Sequence, residues 1–229
     1  MQLFKLIVLV LLYILGACVY VICTVALVSI AVLIKVAALL LADMLLYPIF
    51  IIGDLFKGLE IVELLNILIF AFVGMGFGVA TWLLYPKLGR KTSAILLIIA
   101  VPLIFITTPM VRYNLWLQTV GIEEELSPDQ AENLTNSFLE KRVGSQGFLG
   151  FYLYTAQFPV LPTKQVQMNE LENFEKKVNS KFVQLMGIPP TVVGWLMATC
   201  FWGLRIFYFF IAAIATIAHF REGVKLVKR

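Results

Sequence analysis

The stretch LIVLVLLYILGACVYVICTVALVSIAVLI, from Leu6 to Ile34, decides the fold class. It holds 29 residues and no charge. As a helix rising about 1.5 Å per residue it is about 43 Å long, and roughly 20 apolar residues cross a bilayer. It reads as a membrane span. A secretory signal is the competing reading, because Lys5 supplies a basic start and Leu15-Gly16-Ala17-Cys18 resembles a lipoprotein cleavage box. Signal cores are only about 7–15 residues long. Here the apolar run continues for sixteen residues beyond Cys18, so an uncleaved span is the better reading.

The rest of the chain fits that environment. Its 229 residues are 61% hydrophobic and 14% charged, with a mean hydropathy of +0.93. Soluble domains average about 45–50% apolar and about 25% charged. Two further spans are expected over 61–84 and 92–108, and a last one over 191–219, opened by Pro189-Pro190. The segment 36–53 carries Asp43 and Pro48 and is short for a span, so it reads as an interfacial or re-entrant helix. The expected architecture is an all-α integral membrane protein with four transmembrane helices, or five if 36–53 crosses. Residues 1–109 form the N-terminal membrane region, 110–190 a small, mainly helical extracytoplasmic domain, and 191–229 the last span with a basic tail.

Charge sets the orientation. Residues 110–190 hold seven Lys/Arg against nine Asp/Glu, and the remainder holds eleven against five. The turn with Lys87, Arg90 and Lys91 and the tail with Arg221, Lys225, Lys228 and Arg229 are both expected in the cytoplasm by the positive-inside rule. The implied location is a cytoplasmic-type membrane (inner, plasma or thylakoid), crossed several times, with the C-terminus cytoplasmic. The basic residues are few and scattered, so no nucleic-acid partner is expected. Three cysteines, Cys18, Cys23 and Cys200, all lie in apolar runs, which excludes a disulfide framework in the polar segment.

Within 110–190, Ser127-Pro128-Asp129-Gln130 reads as a capped helix start, with Gly144 as its stop. A second helix is expected from about Asn169, with Leu171, Phe174, Val178, Phe182 and Leu185 on one face. The intervening Gly147–Tyr154 run is aromatic and glycine-flanked. It reads equally as a strand, a buried loop or an interfacial segment. Asn133-Leu134-Thr135 matches a glycosylation triplet, but inside a predicted helix.

Charges inside membrane segments are costly and usually face a partner or a cavity. Lys35, Asp43, Glu63 and Arg205 are the candidates, with Lys35 and Glu63 nearer span ends. Asp43, Glu63 and Arg205 point to an ion or proton path, to an anionic headgroup site, or to a structural pair between Arg205 and one of the two acids. Glu63, Asn66, Phe70, Gly74 and Gly78 recur at helical spacing, and Gly74 to Gly78 is the GxxxG pattern that lets helices approach closely. This is a helix-packing face. His219 stands alone at the junction of last span and tail, with no metal-ligand spacing around it. No catalytic residues and no metal are expected, the cofactor-binding set is unknown, and a bound lipid is the only ligand foreseen.

Two functions fit this pattern. One is a non-catalytic structural subunit or assembly factor of a larger membrane complex, with membrane lipid and other membrane proteins, or further copies of the chain, as partners. The alternative is a small oligomeric channel or transporter that uses Asp43, Glu63 and Arg205.

Overall fold

Long apolar runs with few breakers become long helices. The computed structural model describes residues 2–45, 61–84, 86–158, 161–170 and 190–227. The described residues form helices and include no strand. They are α1 (Gln2–Leu45), α2 (Asn66–Ala80), α3 (Pro86–Glu123), α4 (Pro128–Val143), α5 (Gly147–Thr155), α6 (Gln165–Asn169) and α7 (Pro190–Leu226). Short 3-10 turns, Ile61–Leu65 and Thr81–Leu83, flank α2. Among the described residues four helical stretches are long and apolar enough to cross a membrane: Val10–Leu45, Val62–Leu83, Gly89–Glu123 and Ala198–Leu226. The chain is a multi-pass membrane protein.

Three helices outrun the boundaries expected from the sequence. α1 does not stop at Ile34 but passes Lys35 and ends at Leu45, because no Gly or Pro interrupts it before Pro48. Residues 36–45 are therefore not a separate interfacial helix, and 46–53 lie outside the described residues. α3 begins at Pro86, so Arg90 and Lys91 sit in its first turns and not in a loop. Proline is well suited to the first helical position. α3 also runs through Pro109 to Glu123. α7 continues past His219 to Leu226, making much of the basic tail helical.

The chain divides into two compact units. The first comprises Met1–Leu45, Ile61–Thr107 and Tyr208–Arg229. Its core joins α1, α2, α3 and α7 through Ala31, Phe70, Val73, Phe77, Ile104 and Ala212, each 1% exposed or less. Contacts fix the helix directions. Gly16 lies at Leu83 and Leu27 at Gly76, so α1 and α2 are antiparallel. Tyr20 hydrogen-bonds Ser93 at 2.6 Å, and Lys35 reaches Ile104, so α1 and α3 run parallel. Gly74 meets Thr216, and Gly78 meets Phe220 and Gly223, so α2 and α7 run parallel.

The second unit contains Thr108–Phe207. The Ser127 cap is present in full: Ser127 Oγ accepts from the Gln130 amide, and the Gln130 side chain accepts from the Ser127 amide at 3.0 Å. Gly144, left-handed at φ 69°, closes α4. Gly147–Thr155 is a helix, with Gly150, Phe151, Tyr154 and Thr155 buried on one face. Gly150 is needed there because a Cβ would strike the Ser145 carbonyl and the Leu139 side chain. Tyr113, Trp116, Val120, Ala131, Phe138, Leu139, Phe151, Tyr154 and Met168 form the core. Trp116 Nε1 donates to the Pro162 carbonyl at 2.7 Å, pinning the segment before α6. The glycosylation triplet lies in α4, and its Thr135 is buried and bonded to the carbonyls of Ala131 and Glu132. The helix expected from Asn169 onward lies outside the described residues beyond Glu170.

Candidate functional site

The most unusual chemistry in the first unit is a buried lysine. Lys35 is 1% exposed and Glu63 3%. Lys35 comes from α1, Glu63 from the 3-10 turn before α2, and the two meet because those helices run antiparallel. Lys35 Nζ lies 3.2 Å from Glu63 Oε2. It also donates to the carbonyls of Ile104 and Phe105, each at 3.2 Å. Its ammonium lies 5.2 Å from the centre of the Phe105 ring, within cation–π range.

The Phe105 carbonyl explains why this lysine is useful. In a helix it would accept from the amide four residues on, but that residue is Pro109, which has no N–H. Lys35 supplies the missing donor. In a low-dielectric setting an unsatisfied carbonyl is costly, and neighbouring side chains are what make a proline tolerable in such a helix. Glu63 then balances the ammonium. Asn66 Nδ2 also donates to Glu63 Oε2. Among the described residues, Glu63 Oε1 and Asn66 Oδ1 are buried without a hydrogen-bond partner. Both atoms are acceptors and would take a proton or a further donor.

Arg205 belongs to the second unit and is 5% exposed. Its Nη1 donates to the Tyr152 carbonyl at 2.8 Å, and its Nη2 to Thr155 Oγ1 at 2.9 Å. The guanidinium lies 4.4 Å from the centre of the Tyr152 ring. It thus binds the last turn of α5, where the helix dipole favours a cation, and shares the Tyr152 carbonyl with the Ala156 amide, which donates to it at 3.2 Å. Glu63, one of the two acids considered as a partner for Arg205, is held by Lys35. Asp43 is exposed on the last turn of α1.

The glycine face is buried along α2, including Asn66, Phe70, Gly74 and Gly78. A Cβ on Gly74 would enter the backbone of Thr216. One on Gly78 would lie 2.9 Å from Gly223 Cα, and one on Gly223 would lie 3.0 Å from Gly78 Cα. Gly223 went unremarked in the sequence because its partner is 145 residues away and it sits among charges. His219 Nδ1 lies 2.9 Å from the Ala215 carbonyl, one turn back on its own helix. Among the described residues no group of three or more His, Cys, Asp or Glu could hold a metal. No protein family, curated protein or solved structure matches this chain.

Proposed function

We propose that the chain is a non-catalytic membrane protein that serves as a structural subunit or assembly factor of a larger membrane complex. The observation that carries this reading is the use made of the intramembrane charges. Lys35, Glu63 and Asn66 join three helices and mend the gap left by Pro109. Arg205 secures α5. Charges spent on closing helix contacts are not lining a route. The outer surface of α1 also favours association, because Leu12, Leu15, Ile22, Val25 and Leu33 are each at least 60% exposed. A bilayer or a partner helix would cover them.

The topology we infer has four spans. α1 and α2 run antiparallel, as two consecutive spans would, and the N-terminal half of α1 shares one end of the bundle with Ser93 and Phe220. Arg90, Lys91 and Arg221 lie at that end, which the positive-inside rule assigns to the cytoplasm. Residues 110–190 then belong on the opposite side.

The test is gentle solubilisation, native-gel separation and mass spectrometry of the band that holds this chain. A band with defined companion membrane proteins at fixed ratio is expected. A band containing this chain alone would overturn the subunit reading. It would favour the second one, a small oligomeric channel or transporter using Asp43, Glu63 and Arg205. One observation supports that alternative: the orphaned Glu63 Oε1 and Asn66 Oδ1 could receive a permeating cation or proton. It predicts ion or proton flux in vesicles that is lost in Glu63→Gln at unchanged protein level.

A further inference from the structure

The first unit carries an apolar groove between α3 and α7. Its volume is about 460 Å³, inside the range of about 300–1,000 Å³ typical of ligand pockets. Ala94, Ile98 and Val101 line one wall, and Ala213, Ile217 and Phe220 the other. The small Ala94 and Ala213 make the hollow, since larger residues there would fill it. Thr216 also borders it, but its hydroxyl is committed to the Ala212 carbonyl at 2.8 Å. The groove therefore offers an occupant no polar group along its length.

One end of the groove is different. On α3 the lining positions recur every three or four residues, and stepping back from Ala94 by three and four reaches Lys91 and Arg90. On α7 the row Ala213, Ile217 continues to Arg221 and then Lys225. Because α3 and α7 run antiparallel, both basic pairs cap the same end. All four side chains are exposed. Glu222 lies one residue from Arg221 and so about 100° around the helix from it.

We propose that this groove is a binding site for an anionic phospholipid, with an acyl chain along the α3–α7 walls and the phosphate held by Arg90, Lys91 and Arg221. Charge complementarity selects this occupant over other apolar ones. A partner helix would need no cationic mouth, and a zwitterionic lipid would gain little from it. Basic clusters beside a membrane attract anionic headgroups, with an energy that grows with each Lys or Arg. The site is independent of the subunit reading above, since it needs no partner protein.

The experiment uses the full chain in mild detergent, with lipid binding counted by native mass spectrometry. Phosphatidylglycerol and phosphatidylcholine of identical acyl chains are titrated separately. Wild type is expected to hold phosphatidylglycerol roughly ten- to hundredfold more tightly. The Arg90→Gln/Lys91→Gln/Arg221→Gln variant should lose that preference while keeping residual binding of both lipids. Ala213→Phe, which fills the groove, should lose both. Soluble glycerol phosphate at millimolar concentration should not displace the lipid. Equal binding of the two lipids by wild type would overturn the proposal, as would a preference that survives in the triple variant. Effective competition by glycerol phosphate would mean an anion site without an acyl groove, and would overturn it too. Should Ala213→Phe fail to fold, Ala94→Leu tests the same wall from the other side.

Discussion

The first unit closes its core with small residues, at Gly74, Gly78 and Gly223 and at Ala31, Ala100, Ala212 and Ala215. The second closes its core with rings, from Tyr113 and Trp116 to Phe138, Phe151 and Tyr154. Tyr113–Phe151, Trp116–Phe151 and Phe138–Tyr154 all have ring centroids 5.2–5.6 Å apart. The difference follows from what drives association. Lipid tails are as apolar as leucine, so helices among them gain little from hiding side chains and rely on close backbone contact and internal polar bonds. A polar-surfaced helix such as α4 gains by burying large aromatic area, which is worth about 25 cal/mol per Å². Among the described residues each unit also buries one cation, with different partners. Both use backbone carbonyls and a ring; Lys35 adds the Glu63 carboxylate and Arg205 the Thr155 hydroxyl.

The largest expected effect breaks the polar node of the first unit. Lys35→Met leaves Glu63 buried without its cation and the Phe105 carbonyl without a donor. The cost should be about 3–5 kcal/mol, as for other buried pairs stripped of one member. Lys35→Met/Glu63→Leu should recover most of that, since an apolar replacement of a buried pair is often nearly neutral. What remains is the cost of the freed carbonyl, about 1–3 kcal/mol. Adding Pro109→Ala restores the missing N–H, so it should stabilise the double variant more than it stabilises wild type. Unfolding in detergent measures all four. If Pro109→Ala acts equally in both backgrounds, Lys35 is not standing in for the proline's lost donor.

Next comes backbone contact. Gly223→Val would press a side chain into the Gly78 backbone, and overpacking costs about 1–3 kcal/mol, here at the upper end because backbone cannot yield. Gly203 is the control, because a Cβ there meets nothing within 4 Å among the described residues. Gly203→Ala should be neutral or gain about 0.5–1 kcal/mol from helix propensity. Thermal inactivation in detergent separates them. Equal tolerance at Gly223 and Gly203 would mean that the α2–α7 contact does not hold the first unit together.

The same contrast explains what was readable in the sequence. Apolar runs announced four helices, and the spacing of Gly74 and Gly78 announced a face. Their true extents were hidden. Lys35 and Pro109 each look like a boundary when read alone, one by charge and one by chemistry. In the folded protein each removes the other's penalty, so both helices pass straight through. Such a pairing links positions 74 residues apart and leaves no local pattern. Arg205 was legible as an intramembrane cation but not as a ligand of Tyr152 and Thr155. The Gly147–Thr155 run, with glycine and aromatics together, reads as a strand, a buried loop or an interfacial segment, yet it is a helix, because the face with Gly150, Phe151 and Tyr154 is set by packing that no local pattern shows. The Ser127 cap was readable because all its parts lie within four residues.

A smaller effect isolates the second unit. Trp116→Phe keeps a ring in the aromatic core but removes the donor to the buried Pro162 carbonyl. The expected loss is about 1–2 kcal/mol. It should appear as faster proteolysis around Pro162, with the detergent stability of the first unit unchanged. Exposed links nearby, Lys164 to Glu123 at 3.2 Å among them, contribute little because both side chains are about half exposed. If Lys164→Ala accelerates cleavage as much as Trp116→Phe, surface charge and not the tryptophan anchors that segment.

The smallest effect lies at the end of α3. Glu125 adopts φ 53°, the left-handed conformation that glycine favours. Around it the Leu126 amide donates to the Gly121 carbonyl at 2.9 Å and the Glu125 amide to Ile122 at 3.4 Å. These are the two bonds of a Schellman helix stop. A side chain in this conformation costs about 1–2 kcal/mol, and glycine's extra freedom in the unfolded chain returns part of that. Glu125→Gly should therefore stabilise the second unit by about 0.5 kcal/mol, read as a small rise in the unfolding midpoint followed by Trp116 fluorescence. Charge offers a rival cause, because Glu123, Glu124 and Glu125 crowd a helix C-terminus where negative charge is unfavourable. Glu125→Ala separates the two, since it removes the charge but keeps the side chain at positive φ. A gain in glycine and none in alanine assigns the effect to the backbone. An equal gain in both assigns it to the dipole.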